Sequence, residues 1–395
     1  MHAYPVFTQF EGRLDDTDIE KAWKTQKWTR LKISPLSFWE KHKKPKALSG
    51  ALARWEAVMI APDRLALGIE PNSSLSVLDM MECAQLAEKK GFAATWVAEG
   101  RRGEVFALLS ALAMGTSRMR LGAGILPVFI RSPWIVAAGA ATVDEVSGGR
   151  FMLGLGAGHK SVIEDRYGLA YDRPTQRMRE VTDIVRRALS GEPVNVEGEI
   201  FRLSGAQLSR RPVRSDVPIY IAGTGPRVLE LAGEIAGGAF LMFPTENSLR
   251  TSLQHIGHGA KRVNRDPGQV DIVAYVFTCV AAERRVAIES CRRTIAYFGR
   301  LPHYSSLFAR AGFPRETERL KDAWAQNDEA RAMRAVTDEM VLALSATGTP
   351  DDVALRLDAL LQAGLKQAVL FPLSTDGDAK SAILRTIESL GTGPM

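Results

Sequence analysis

Cysteine is scarce in this 395-residue chain. Cys83, Cys279 and Cys291 lie far apart and in no CxxC spacing, which offers neither a disulfide framework nor a cysteine zinc site and fits a reducing, cytoplasmic setting. Long apolar runs are also missing. The longest, Pro133 to Val143, falls well short of the ~20 residues that span a bilayer and, rich in Ala and Gly, reads as a buried helix, so no membrane partner is expected. The start, Met1 to Asp16, carries acids and aromatics where an export signal needs a basic beginning and an apolar middle. The motifs HExxH, GxSxG and GxxxxGK[ST] do not occur, which removes the zinc-protease, serine-hydrolase and P-loop classes. Solenoid repeats and low-complexity tracts are absent too.

What is present is an ordinary globular composition, 46% hydrophobic and 24% charged, with enough apolar material for a large core. The net charge of +6 is too modest to be a nucleic-acid footprint, and no nucleic-acid partner is expected. Its distribution is uneven. Residues 1–62 form a leader holding Trp23, Trp28, Trp39 and Trp55, four of the seven tryptophans, and the segment from Lys21 to Lys46 carries nine Lys or Arg against one acid, Glu40. Such a leader reads as an arm that lays its rings on the main domain or a sister subunit while its lysines face water; binding of an anionic peptide or nucleic acid is the other use of that composition.

From Arg64 the pattern changes to short apolar runs alternating with amphipathic stretches. Strands are predicted at 65–71, 93–98, 119–126, 151–156, 218–222, 239–243, 271–280 and 367–372. The punctuation between them is helical. Ser76 and Asp79 make a capping box before an apolar face that Gly91 ends, and Ser132-Pro133 and Thr349-Pro350 place a cap and an N1 proline before further helices. Gly148-Gly149 and Gly364 close those two helices. Eight strands in alternation with helices count out an α/β fold, a (β/α)8 TIM barrel with its active site at the strand C-terminal ends; a doubly wound open sheet is the competing topology. The second domain therefore spans 63–395, with a hairpin insertion at about 193–203 and a helical insertion at about 283–347.

Candidate site residues follow from that layout. Glu70 and Glu99 stand at the ends of the first two strands, where either carboxyl can act as acid or base, or simply pair with Arg101 or Arg102. His159 is the one histidine that closely follows a predicted strand, although a surface imidazole fits equally. LGLGAG, Leu153 to Gly158, lacks the spacing of a dinucleotide fingerprint, but in a barrel Gly156, Ala157 and Gly158 would let something flat approach the backbone; a plain turn is the alternative. The two glycines of LGAGILP, Leu121 to Pro127, mark a bulge or bend. In AGTGPR, Gly223, Thr224, Gly225 and Arg227 precede or open a helix whose first turn can hold a phosphate, or make only a capping turn.

In order along the chain, WVAE (Trp96 to Glu99), RLGAGILPVFIRSP (Arg120 to Pro133), ATVDEVSGGRFMLGLGAG (Ala141 to Gly158), RMREVTDIVRRALSGEPVNVEGEIF (Arg177 to Phe201), PIYIAGTGPRVLELAGEIAGGAFL (Pro218 to Leu241) and GTPDDVALRLDALLQAGLKQAVLFP (Gly348 to Pro372) resemble the bacterial-luciferase-like flavin and deazaflavin oxidoreductases. Together these blocks cover most of residues 64–390. WVAE and GPRVLELAGEIA are most similar to the branch that includes methylenetetrahydromethanopterin reductase and uses the deazaflavin coenzyme F420.

The resemblance implies a TIM barrel, often a homodimer, whose ring-shaped cofactor rests on a bulge in the third strand. That bulge would be Gly124 and Ile125, joined in relatives by a non-prolyl cis peptide, with the cofactor phosphate on the Gly223 to Arg227 turn. The activity implied is hydride transfer from reduced F420 to a small-molecule or peptide acceptor; the residues themselves, not the resemblance, point to Glu99 as the proton donor, since a carboxyl enclosed by an apolar mouth can have its pKa raised toward working pH. Two alternatives remain at this point: a reduced-FMN monooxygenase on the same barrel, and a non-catalytic cofactor- or peptide-binding barrel. Many relatives carry an Asp-His pair after the second strand, where this chain has Glu99-Gly100, and the leader has no counterpart in the family pattern.

Overall fold

The structure is a computed structural model, and it describes residues 60–70, 74–100 and 103–391. The leader's tryptophans and basic run lie outside these residues, as do Arg101 and Arg102.

From the start of the barrel the chain alternates β1 (Leu65–Ile69), α1 (Val77–Lys89), β2 (Ala94–Val97), α2 (Val105–Gly115), β3 (Arg120–Pro127), α3 (Pro133–Val146) and β4 (Phe151–Gly156). Two helices, α4 (Lys160–Tyr167) and α5 (Pro174–Leu189), then lead to an antiparallel hairpin of β5 (Val194–Glu197) and β6 (Arg202–Ala206). Alternation resumes with β7 (Ile219–Ala222), α6 (Pro226–Ile235), β8 (Gly238–Met242), α7 (Glu246–Arg262) and β9 (Asp271–Val280).

The helical insertion comprises α8 (Arg284–Gly299), α9 (Pro302–Arg310), α10 (Pro314–Ala325), α11 (Glu329–Ala335) and α12 (Asp338–Leu344). It ends in β10 (Ala346–Gly348), a short strand paired with the C-terminal end of β9 that the sequence pattern assigned to the insertion. The last elements are α13 (Pro350–Gln362), β11 (Gln367–Pro372) and α14 (Ala379–Leu390).

The parallel order β1-β2-β3-β4-β7-β8-β9-β11 closes on itself, because β8 pairs with β9 and β11 pairs with both β9 and β1. Closure excludes the open doubly wound sheet. The eight predicted strands are all present, displaced at their ends by at most two residues. Local chemistry explains the helix starts: Ser76 forms its capping box with Asp79, Ser132 caps Ile135 ahead of Pro133, and Thr349 boxes with Asp352 around Pro350. Helix α3 corrects one expectation. It is buried along Val136, Ala137, Ala140 and Val143, yet Ile135 and Val146 are exposed, so the run covers the sheet with one face rather than lying inside a core.

Among the described residues three apolar clusters hold the fold. The largest lies between the strands and the surrounding helices. A second fills the barrel, where Trp96 meets Tyr220 and Phe240 edge-on with ring centroids 5.1 and 4.9 Å apart, and Gly122 leaves the space the indole occupies. The third is aromatic and fixes the insertion to the ends of β8 and β9. Phe243, fully buried with φ of 51°, contacts Phe277, Phe298, Tyr304 and Phe308 at centroid distances of 4.8 to 5.5 Å. A left-handed conformation is uncommon for a bulky residue and persists where its surroundings enforce it. Here four rings do so, and α9 is thereby held at the barrel mouth.

Candidate active site at the barrel mouth

The bulge expected in β3 is present. Its register against β4 shifts between Ala123 and Leu126, and the Gly124–Ile125 peptide is cis. Two neighbours make room for it: a Cβ on Gly154 would collide with the Ala123 carbonyl, and one on Gly156 would stand 2.8 Å from Ile125 Cδ1. The close approach that LGLGAG suggests is thus made, at these two glycines, by the bulge itself. Gly158 follows with φ of 69°. On the other side, the Glu99 N–H donates to the Ile125 carbonyl at 3.3 Å, tying the end of β2 to the bulge. From across the barrel the Tyr275 hydroxyl donates to the Gly124 carbonyl at 2.5 Å. Burial, with a smaller contribution from the Glu70 carboxylate, pushes the Tyr275 phenol well above its ordinary value, so it remains a donor. Ile125, Ala222, Met242 and Phe371 lie half-buried on the interior cluster and form an apolar floor.

Carboxylates and imidazoles surround this floor. Glu70, at the end of β1, is exposed. Glu99 is enclosed, its side chain 7% accessible, and accepts from Arg131 Nη1 at 2.8 Å while Arg131 Nη2 reaches Glu104 at the same distance. Burial raises the Glu99 carboxyl above the usual carboxylate range and Arg131 opposes that shift. Arg131 was not singled out from sequence, because its link to Glu99 crosses from one strand end to the next. His159 also has a partner there: its Nδ1 lies 3.2 Å from His303 Nε2 of α9, with the rings stacked at 5.1 Å. Desolvation lowers both imidazoles, His303 to about 4 with His159 adding to the effect, so the pair is neutral at pH 7.

The turn after β7 leads into a helix whose start has no side-chain cap. Gly225 caps α6 with no side-chain hydrogen bond, a Cβ there would meet nothing within 4 Å, and Pro226 fills N1. Helix α4, following neighbouring β4, starts at His159 and also lacks a side-chain cap bond. Helix N-termini without such caps have first-turn N–H groups to offer an anion. Arg227 is exposed beside this turn, and Arg310 of α9 donates to the Thr224 carbonyl at 3.4 Å. A flat apolar floor with an anion-binding turn at one side suits a ring cofactor carrying a phosphate, so the residues present fit a flavin or deazaflavin.

The family described as luciferase-like monooxygenase matches residues 58–367, and the chain belongs to it. It is thereby an enzyme of the luciferase-like flavin and deazaflavin oxidoreductases. Among its relatives, 5,10-methylenetetrahydromethanopterin reductase of Archaeoglobus fulgidus is 32% identical over 313 residues, covering 77% of this chain and 92% of that protein. A putative coenzyme F420-dependent oxidoreductase of Mycobacterium tuberculosis is 26% identical, covering 73% and 87%. The solved structure of the coenzyme F420-dependent tetrahydromethanopterin reductase of Methanopyrus kandleri superposes with a TM-score of 0.73 at 26% identity, covering 83% of this chain and 98% of that one. Among the described residues no helix is long and apolar enough to cross a membrane.

Proposed function

We propose that the chain transfers a hydride from reduced coenzyme F420 to a small organic acceptor bound over the barrel mouth. The observation that carries this reading is the Gly124–Ile125 bulge, braced by Tyr275 and by Glu99 and floored by apolar side chains. The likeness to reductases named for F420 favours the deazaflavin over FMN.

When bound, the reduced deazaflavin supplies the hydride. Ile125, Ala222 and Met242 would hold the ring, while the turn of Gly223, Thr224 and Gly225 would receive the phosphate, with the Thr224 hydroxyl, the Arg227 N–H and the Arg227 guanidinium as its donors. His159 and His303, neutral and stacked, flank the β4 side of the mouth together with α9. Glu99 delivers a proton to the acceptor, since its raised carboxyl keeps a larger protonated share near neutral pH than a solvated glutamate would. Glu70, exposed at the same mouth, is the second carboxyl in reach of that task.

Anaerobic oxidation of reduced F420 by a panel of carbonyl, imine and activated-alkene acceptors tests the reading. Acceptor-dependent oxidation without oxygen supports it. Turnover that requires oxygen and reduced FMN would replace it with the monooxygenase.

A further inference from the structure

Helices α6 and α7 cross at short range because Gly233 and Gly259 lie at their contact. A Cβ on Gly259 would collide with the Glu230 carbonyl oxygen, and one on Gly233 with that of Ile256. This close crossing brings together Glu230 from α6 and His255 and His258 from α7, two imidazoles three residues apart on one helix. One ligand atom from each of the three lies within 4.8 Å of the others.

The details fit a cation better than a hydrogen-bond network. His255 Nδ1 is buried without a hydrogen-bond partner. It stands 3.6 Å from Glu230 Oε1, beyond the 2.7–3.2 Å of a nitrogen–oxygen hydrogen bond. Two ligands at ~2.1 Å from one ion in tetrahedral geometry are roughly 3.4 Å apart, close to that spacing. The other carboxylate oxygen, Oε2, accepts from Arg262 Nη2 at 2.8 Å, and Arg262 Nη1 reaches Glu234 at 3.2 Å, which orients the carboxylate with Oε1 toward His255. Two nitrogens and one carboxylate oxygen form a donor set for a borderline transition ion rather than for Mg²⁺ or Ca²⁺.

We propose that Glu230, His255 and His258 bind one Zn²⁺-class divalent cation that clamps α6 to α7, with water completing the coordination. The ion stabilises the folded chain by binding it and not the unfolded one. It takes no part in the chemistry at the barrel mouth, and this inference stands independently of the function proposed there.

The test is calorimetric titration of the full-length protein, freed of any histidine tag and stripped with EDTA, with Zn²⁺. One ion per chain is expected, with a thermal midpoint that rises on loading. His258→Ala, at an exposed position, and His255→Ala should each weaken binding at least ~10-fold and abolish the rise. His303→Gln should retain both, which separates this site from the imidazole pair at the mouth. Cobalt substitution should give the visible bands of a four- or five-coordinate ion, lost in His258→Ala. Absence of stoichiometric binding, binding unchanged in both α7 variants, or loss of binding in His303→Gln would overturn the proposal.

Discussion

The Tyr275 hydroxyl on β9 donates to the Gly124 carbonyl on β3 across the full width of the barrel, at 2.5 Å. The two strands sit opposite one another in the closed order, so this bond joins the bulge to the far wall. Tyr275→Phe removes the donor while keeping the ring, and leaves a buried carbonyl without that partner. A loss of ~1–3 kcal/mol in unfolding free energy is expected from denaturant titration, together with weaker coenzyme binding as the bulge loses its brace. Unchanged stability and affinity would show that the bond does not position the bulge.

Glu99→Gln keeps size and hydrogen bonding to Arg131 but removes the titratable proton. Turnover should fall by ~10² or more with coenzyme affinity little changed, and Glu70→Gln should have the smaller effect. For the wild type, activity should decline as pH rises through the raised Glu99 pKa, because the acid form is the active one. Loss of turnover confined to Glu70→Gln would transfer the proton to β1.

The turn after β7 is tested by Arg227→Ala. Removing an exposed guanidinium should leave the fold intact and weaken coenzyme binding about tenfold, within the range of one charge-assisted contact. Unchanged affinity in a folded variant would exclude a major role for that side chain.

The His159–His303 contact sets an acid limit. His303 has a folded-state pKa of about 4, below its ordinary value of 6.5, so the folded state takes up fewer protons than the unfolded one between those values. Stability is therefore full above pH ~6.5 and declines as pH falls toward 4. The thermal midpoint of the wild type should drop across this window more steeply than that of His303→Gln. Parallel curves would remove the pair from the acid response.

Much of the fold was legible because local patterns agree with tertiary structure. The apolar strands and the Ser76, Ser132 and Thr349 caps follow from neighbours in sequence; the two glycines of LGAGILP indicate a bulge or bend, and its position at Gly124–Ile125 follows from the family resemblance. The site was legible in position more than in partnership. Glu99 is placed by its strand end, but Arg131 lies 32 residues away, Tyr275 donates to a carbonyl 151 residues away, and His303 meets His159 across 144. Such contacts depend on barrel closure and on the Phe243 cluster that seats α9, neither of which leaves a local signature. A strand of three residues, β10, is likewise visible only once β9 offers an edge.

Cofactor choice tests the central claim most directly. Equilibrium titration of the purified protein with F420 and with FMN, followed by fluorescence under identical conditions, should give at least tenfold tighter binding of F420, a difference of ~1.4 kcal/mol. Equal or tighter binding of FMN would contradict the assignment and place the chain among the flavin-dependent members of its family.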